Sequence, residues 1–383
     1  MKKIKTVLFA AIILFVMIFA VSCTNNDVKK GKTVIDLLGR EVVVPDKIDR
    51  VVCVGGGALR LYSYVGDMSK LCGVEDVDRD GTGVGKTLSI RPYKMVNKDL
   101  FNSLPSCGIG GPTGSADAEK ILACNPDVII SLYTSDKSAM DELQNKTGKP
   151  VVVLSYGTVE AFDENVKKSI SLLGEVLNKQ DRAKEVVDYI CGIQKDLGER
   201  FSSVKKEDKP SVYLGCQSNY GTHGIESSTA SYSIFDVSGI KNILDVNGYK
   251  GYQKSVDSES LLKMNPEIII LDAGGLGILK SQFKDKEKAE VYAKIKAFQT
   301  GEVYLQMPYN AYYTNLETAY CNAYFDAWVA YREQMKDFDY VAKAREIIKF
   351  FLGADCYDEI AEKMYGGFQK LDLKKTFDYF GDK

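Results

Sequence analysis

SADAEKILACNPDVII, residues 115–130, returns as SVDSESLLKMNPEIII, residues 255–270. Ser115, Asp117, Glu119, Leu122, Asn125, Pro126, Ile129 and Ile130 recur at an offset of 140 as Ser255, Asp257, Glu259, Leu262, Asn265, Pro266, Ile269 and Ile270. In each copy an Asp or Ser can accept from the free N–H groups of a helix start. The apolar residues, Leu122 and Leu262 among them, are expected on one buried face. Asn-Pro then ends the helix, because the residue before proline is pushed out of the α region, and a buried strand follows. A period of 140 is far too long for a solenoid, so the pattern predicts two similar lobes.

Working outward, short β-branched runs at 51–54, 128–132, 151–154, 212–214, 268–271 and 303–305 alternate with helical segments. Each parallel return needs a crossover of a dozen or more residues, so the alternation predicts α/β lobes with parallel-rich sheets flanked by helices. Alternating apolar positions around Gly39, between Thr33 and Val44, predict a small hairpin. Between the two copies, Ala183, Val186, Val187, Ile190, Ile193, Leu197 and Phe201 form one stripe of a helix starting after Asn178 and running to about Val204. Such a helix is long enough to tie two lobes together and would allow only small relative motion.

At the N-terminus Lys2, Lys3 and Lys5 precede an uncharged apolar run from Val7 to Ala20, which stops at Val21, Ser22 and Cys23. The run falls short of the ~20 apolar residues of a transmembrane helix, and small residues before a cysteine suit a signal peptide with lipidation at Cys23. An uncleaved anchor is the alternative, and Ala20 stands where lipoprotein signals more often carry leucine. The expected divisions are 1–22 signal peptide, 23–32 tether, 33–156 N-terminal α/β lobe, 157–205 helical segment with the bridging helix, and 206–383 C-terminal α/β lobe with terminal helices. Removing three lysines from 50 basic residues leaves 47 against 52 acidic, a net of −5, so nucleic acid is not the expected partner. Of nine cysteines none forms C-x-x-C, and Cys53, Cys124 and Cys216 lie in or beside apolar runs, so most read as buried thiols, with a Cys72–Cys107 pair left open. His223 is the single histidine, which excludes a multi-histidine metal site and leaves little general-base chemistry. No G-x-S-x-G elbow is present, which argues against an exported hydrolase.

The Gly39-Arg40-Glu41-Val42 turn with Pro45 and Arg50-Val51-Val52, the two repeats and the helix between them together resemble the periplasmic-binding family that serves ABC importers of iron siderophores, haem and vitamin B12. The resemblance covers nearly the whole chain after the leader. It implies two α/β lobes joined by one long bridging helix, a ligand cleft between them, and no catalysis. It further implies an extracytoplasmic monomer, held to the membrane as a lipoprotein, that delivers a small-molecule metal chelate to an ABC permease dimer with its cytoplasmic ATPase. The family's permease-docking glutamates fall by motif on Glu119 and Glu259. Both also lie in the first turn of a helix, where the macrodipole alone favours a negative charge. As rim charges they would govern association rate and salt sensitivity.

Ligands of parallel α/β sheets bind beyond the carboxyl ends of the strands. The loops there supply Arg79, Arg91, Tyr93, Tyr133, Tyr220, His223, Tyr232, Tyr309 and Tyr312, the expected ligand-binding residues. Tyrosines offer flat apolar area with a polar tip, and arginines pair with carboxylate, catecholate or hydroxamate oxygens. The expected cargo is a ferric siderophore, then haem, then cobalamin, with no intrinsic cofactor. A surface haem scavenger that never docks to a permease is the competing reading, and His223 is weighed as an axial ligand to haem iron or cobalt against a plain surface residue. The 23 tyrosines must lie somewhere, and residues 312–331 read equally as an amphipathic helix on one lobe. Gly81 to Thr87 imitates a phosphate-binding loop, but the motif's first glycine would fall on Asp80, so the stretch is read as a flexible cleft loop.

Overall fold

The computed structural model describes residues 31–82, 90–111, 114–133, 135–158 and 160–381. The expected signal peptide, Cys23, all but the end of the tether, and residues 83–87 of the glycine-rich stretch lie outside the described residues. Gly31 and Lys32, expected in the tether, already belong to a strand.

Thirteen strands occur among the described residues. They are β1 Gly31–Ile35, β2 Glu41–Pro45, β3 Val51–Val54, β4 Leu71–Gly73, β5 Val128–Ser131, β6 Val151–Val153, β7 Ser211–Gly215, β8 Ser228–Thr229, β9 Lys241–Asn242, β10 Tyr252–Gln253, β11 Ile268–Asp272, β12 Val303–Gln306 and β13 Gln369–Lys370. β1 and β2 form the expected antiparallel hairpin, with Gly39 in the turn at φ 70°. The N-terminal sheet runs β4-β3-β5-β6, parallel throughout. The C-terminal sheet runs β13-β12-β11-β7-β9, parallel except for the edge pair β12–β13. Every residue of β3, β5, β7, β11 and β12 is buried, as expected of strands covered on both faces by helices.

The helices that position the site are α1 Ala58–Val65, α2 Ala118–Ala123, α3 Glu164–Leu177, α4 Gln180–Arg200, α5 Ser258–Met264 and α6 Leu316–Ala330. The duplicated segments become α2–β5 and α5–β11, one in each sheet. Asp117 accepts from Lys120 N at 3.0 Å and Asp257 from Ser260 N at 2.8 Å. Asn125 and Asn265 both take the left-handed conformation, at φ 46°, and close their helices. One turn later Asp127 accepts from the amides of Asp49 and Arg50 at 2.9 Å, while Glu267 accepts from Ser211 N at 3.0 Å. Each copy therefore pins the start of the neighbouring strand. The buried face differs from expectation by one position: Ile121 and Leu261 are buried, whereas Leu122 is 39% exposed and Leu262 half-buried. A helix of six or seven residues turns 100° per residue, and the side chain facing the sheet is the one just before each leucine.

α4 follows α3 after a two-residue turn and precedes β7, so α3 and α4 together carry the chain from the first sheet to the second. Its 21 residues span about 31 Å, four residues short of the expected end. Ala183, Val186, Ile190, Ile193 and Leu197 are buried along it, and Val187 is partly buried. α6 differs from the amphipathic helix expected over 312–331. It starts at Leu316 and is buried on nearly all sides, Glu317, Asn322 and Asp326 included, while Tyr312 and Tyr313 precede it in a loop. Cys72 and Cys107 are both free thiols, buried like Cys53, Cys124, Cys216, Cys321 and Cys356; Cys191 is exposed. No helix among the described residues is long and apolar enough to cross a membrane.

Candidate functional site

A cavity of about 830 Å³ opens beyond the carboxyl ends of the C-terminal sheet and is walled on its far side by the N-terminal lobe. Thr158, Glu160 and Ala161, from the loop between β6 and α3, form the N-terminal wall. The opposite wall comes from residues 217–222 after β7, 229–234 after β8, Gly251 and Tyr252, and 308–314 after β12. The segments after β7 and β12 are strand ends at which a parallel sheet presents its loops, and β8 and β10 add a small antiparallel pair beside them.

Polar side chains knit the C-terminal wall together. Gln217 Nε2 donates to the Tyr309 hydroxyl at 3.2 Å, and the Thr229 hydroxyl donates to Gln217 Oε1. The Ser227 hydroxyl donates to Gln217 O at 2.7 Å and lies 3.0 Å from the Tyr252 hydroxyl. Asn310 Nδ2 donates to Ser218 O at 3.0 Å. Beneath them the wholly buried Asp272 accepts from Gly274 N at 2.8 Å and Ser218 N at 3.3 Å, and burial pushes its carboxyl up to about 7. Burial likewise pushes the Tyr309 hydroxyl up to about 12 and Tyr232 well above its ordinary range, so both are neutral hydrogen-bonding groups at physiological pH.

Of the residues expected to bind ligand, Tyr220, Tyr232, Tyr309 and Tyr312 line the cavity. Tyr220 stands at its mouth, 96% exposed. The others do not line it. Arg79 pairs with Asp76 at 3.4 Å, and Arg91, 4% exposed, pairs with Asp78 at 3.1 Å and covers the Tyr312 ring at 4.9 Å. A buried guanidinium requires a carboxylate close by, and the acidic turn Asp76–Asp78 supplies it before any ligand does. Tyr93, 1% exposed, donates to Asp78 at 2.6 Å and is a core residue. Tyr133 donates to the buried Glu75, whose other oxygen accepts from Gly55 N at 3.0 Å. Burial pushes Glu75 up to about 7 although both hydrogen bonds pull the other way. His223 turns its Nε2 back onto Asn219 O at 2.9 Å, within its own loop. Among the described lining residues there is no arginine, lysine or histidine, and Glu160 is the one carboxylate. No cluster of metal-ligating side chains occurs among the described residues.

Gln217, Ser218, Thr229 and Asn310 were not singled out from sequence. Gln217-Ser218 directly follows the buried run of β7, and that position at a strand's carboxyl end was the available signal. Glu119 and Glu259 are both exposed, in the first turns of α2 and α5. Each helix runs antiparallel to the strand it feeds, so both first turns lie at the sheet edge that carries the cleft.

Two parallel-rich sheets, a connecting helix and a cavity walled by tyrosines, amides and hydroxyls fit a solute-binding protein. The chain belongs to the periplasmic binding protein family, whose sequence profile matches residues 62–308, and is a solute-binding component of an ABC transporter. It is 22% identical over 323 residues to the molybdate-binding protein MolA of Haemophilus influenzae, covering 80% of this chain and 84% of that one. It is 26% identical over 225 residues to the high-affinity heme uptake system protein IsdE of Staphylococcus aureus, covering 58% of this chain and 71% of that one. A periplasmic solute binding protein from Veillonella parvula shares the fold at a TM-score of 0.67 and 19% identity, over 90% of this chain and 98% of that structure. Proteins of this family are non-enzymatic and work with an ABC permease and its ATPase.

Proposed function

We propose that the chain captures a metal chelate wrapped in an organic shell, a ferric siderophore first and haem second, and presents it to the permease through Glu119 and Glu259. The observation that carries the reading is the cavity: about 830 Å³, walled by six tyrosines, amides and hydroxyls, with no cationic side chain among its described lining residues. That volume lies in the range of pockets that enclose drug-sized ligands, ~300–1,000 Å³. Tyrosine faces suit flat or curved organic shells, and amide and hydroxyl groups suit their carbonyl and phenol oxygens. A small dianion such as molybdate calls for a dense shell of N–H donors or cations and would leave most of this space to water. Cobalamin remains a third cargo on the same grounds, and delivery from a lipid anchor at Cys23 is part of the proposal.

Calorimetric titration with a ferric trihydroxamate, a ferric tris-catecholate, haemin, cobalamin and molybdate tests the cargo. Binding of a ferric chelate with Kd below about 1 μM, or −8 kcal/mol, is expected. Binding of molybdate alone would overturn the reading. Tryptophan quenching is a poor readout, because Trp328 packs against Tyr304, Phe325 and Tyr340 and does not line the cavity.

A further inference from the structure

Arg60 has no exposed surface, and each of its three nitrogens donates across the interface between the lobes. It stands on α1, in the N-terminal lobe. Its Nη2 donates to Ala311 O at 2.8 Å, its Nη1 to Tyr312 O at 3.0 Å and Thr314 O at 3.1 Å, and its Nε to Asn315 Oδ1 at 3.1 Å. Nη1 also donates to the Tyr156 hydroxyl at 3.2 Å, and the guanidinium carbon lies 4.9 Å from the centre of the Tyr93 ring. Thus three carbonyls and one side-chain amide of a single loop, some 250 residues away in sequence, converge on one guanidinium. No other side chain among the described residues grips the opposite lobe through so many bonds.

The loop it holds is strained. Tyr312 and Tyr313 are consecutive left-handed residues, at φ 51° and 65°, a conformation that bulky side chains rarely adopt once and seldom twice running. Asn315 closes the loop from inside: its amide N–H and its Nδ2 both donate to Tyr309 O at 2.8 Å. The strain has a result. It presents both rings to the cavity, Tyr313 stacked on Tyr156 at 5.2 Å and 14°, Tyr312 beneath Arg91. The backbone of Gly56, after β3, leaves room for them: a Cβ there would lie 3.4 Å from Tyr313 and 3.6 Å from Tyr312. An arginine is suited to this position because its planar fork holds five donors in fixed directions, where a lysine has three on one nitrogen.

We infer that Arg60 is a positioning residue for capture: it locks the left-handed Tyr312–Tyr313 loop of the C-terminal lobe onto the N-terminal lobe, and so fixes both the cleft width and the pose of the cavity tyrosines. It touches no ligand itself. The inference adds a residue to the binding site proposed above, but its first test needs no ligand.

In the unaltered protein, hydrogen exchange of the Ala311 and Asn315 amides should be slower than that of the first three amides of α6, which have no helical acceptor, although Ala311 and Asn315 lie in a loop. Exchange at unprotected rates would overturn the inference. Arg60→Lys, which keeps the buried charge, should speed exchange in 309–315 by about tenfold or more, as expected for losing one or two hydrogen bonds, with little change in the C-terminal sheet. Adding Tyr313→Gly to Arg60→Lys should restore part of that protection, since glycine adopts the left-handed conformation without strain. An unchanged loop, or uniform acceleration over the whole chain, would contradict a positioning role. With haemin or a ferric trihydroxamate as probe, Arg60→Lys should raise koff about tenfold and leave kon nearly unchanged, the signature of a lost preorganised wall. If the exchange results hold and neither probe binds the unaltered protein, the clamp stands and the proposed cargo falls.

Discussion

The two lobes repeat the same helix-strand unit and finish it differently at the cleft. In the N-terminal lobe the carboxyl edge of the sheet is closed by its own charges: Glu75 with Tyr133, Asp76 with Arg79, Asp78 with Arg91. In the C-terminal lobe the same edge carries amides and hydroxyls, Gln217, Thr229, Tyr309 and Asn310, with the buried carboxylate Asp272 beneath. The comparison teaches a division of labour. The duplicated parts, caps and strand pins, are support; the C-terminal edge supplies most of the recognition surface, and the N-terminal edge supplies a wall and the Arg60 clamp.

The sharpest way to break this comparison is to strip one edge at a time. Gln217→Ala with Tyr309→Phe should weaken binding of the proposed chelate by about 30- to 1,000-fold, at ~1–2 kcal/mol for each buried polar group left unpaired. Arg79→Ala should change affinity less than about threefold, since Arg79 does not line the cavity and its half-buried pair with Asp76 lies outside it. Calorimetry on both variants decides, and equal losses would erase the asymmetry.

A smaller effect tests what the edges share. Glu75 is held up at about 7 against 4.5, and Asp272 at about 7 against 3.8, burial being the largest cause in each. A carboxyl raised by folding binds its proton more tightly in the folded state, so its contribution is fully present below the unfolded pKa and lost as pH rises through the folded one. Denaturant midpoints should therefore fall between about pH 4 and pH 7. Glu75→Gln and Asp272→Asn should each flatten that fall, by on the order of 3 kcal/mol. A slope unaffected by either substitution would remove these carboxyls from the account.

Smaller still are the caps. Asp117→Ala and Asp257→Ala should each cost about 1 kcal/mol, and by closely similar amounts, because both side chains accept one helix-start amide in the same geometry. The pair Glu119→Arg and Glu259→Arg should leave ligand affinity unchanged while abolishing salt-dependent association with the permease, read by surface-immobilised binding at two ionic strengths.

What was legible in the sequence was what local chemistry dictates. Caps, Asn-Pro stops, buried strands and the α4 stripe are set by residues within a turn or two of one another, and each formed near where it was expected. The cavity was half legible. Tyr220, Tyr232, Tyr309 and Tyr312 stand at strand ends, but Arg79, Arg91 and Tyr93 were drawn away by the run Glu75-Asp76-Val77-Asp78, whose carboxylates pair with them inside the lobe. Arg60 carried a signal that went unread: a lone arginine inside the apolar helix ALRLYSYV must find buried acceptors, and these came from a loop some 250 residues on, which no local pattern announces.

Hydrogen-exchange mass spectrometry with and without a bound ferric chelate tests the central claim most directly. Protection should appear in 156–158, 217–222, 229–234 and 308–315, with the Asp76–Asp78 turn and residues 91–96 unchanged. Protection centred on those last two segments, with none at 217–222, would place the ligand against the N-terminal edge and contradict the account.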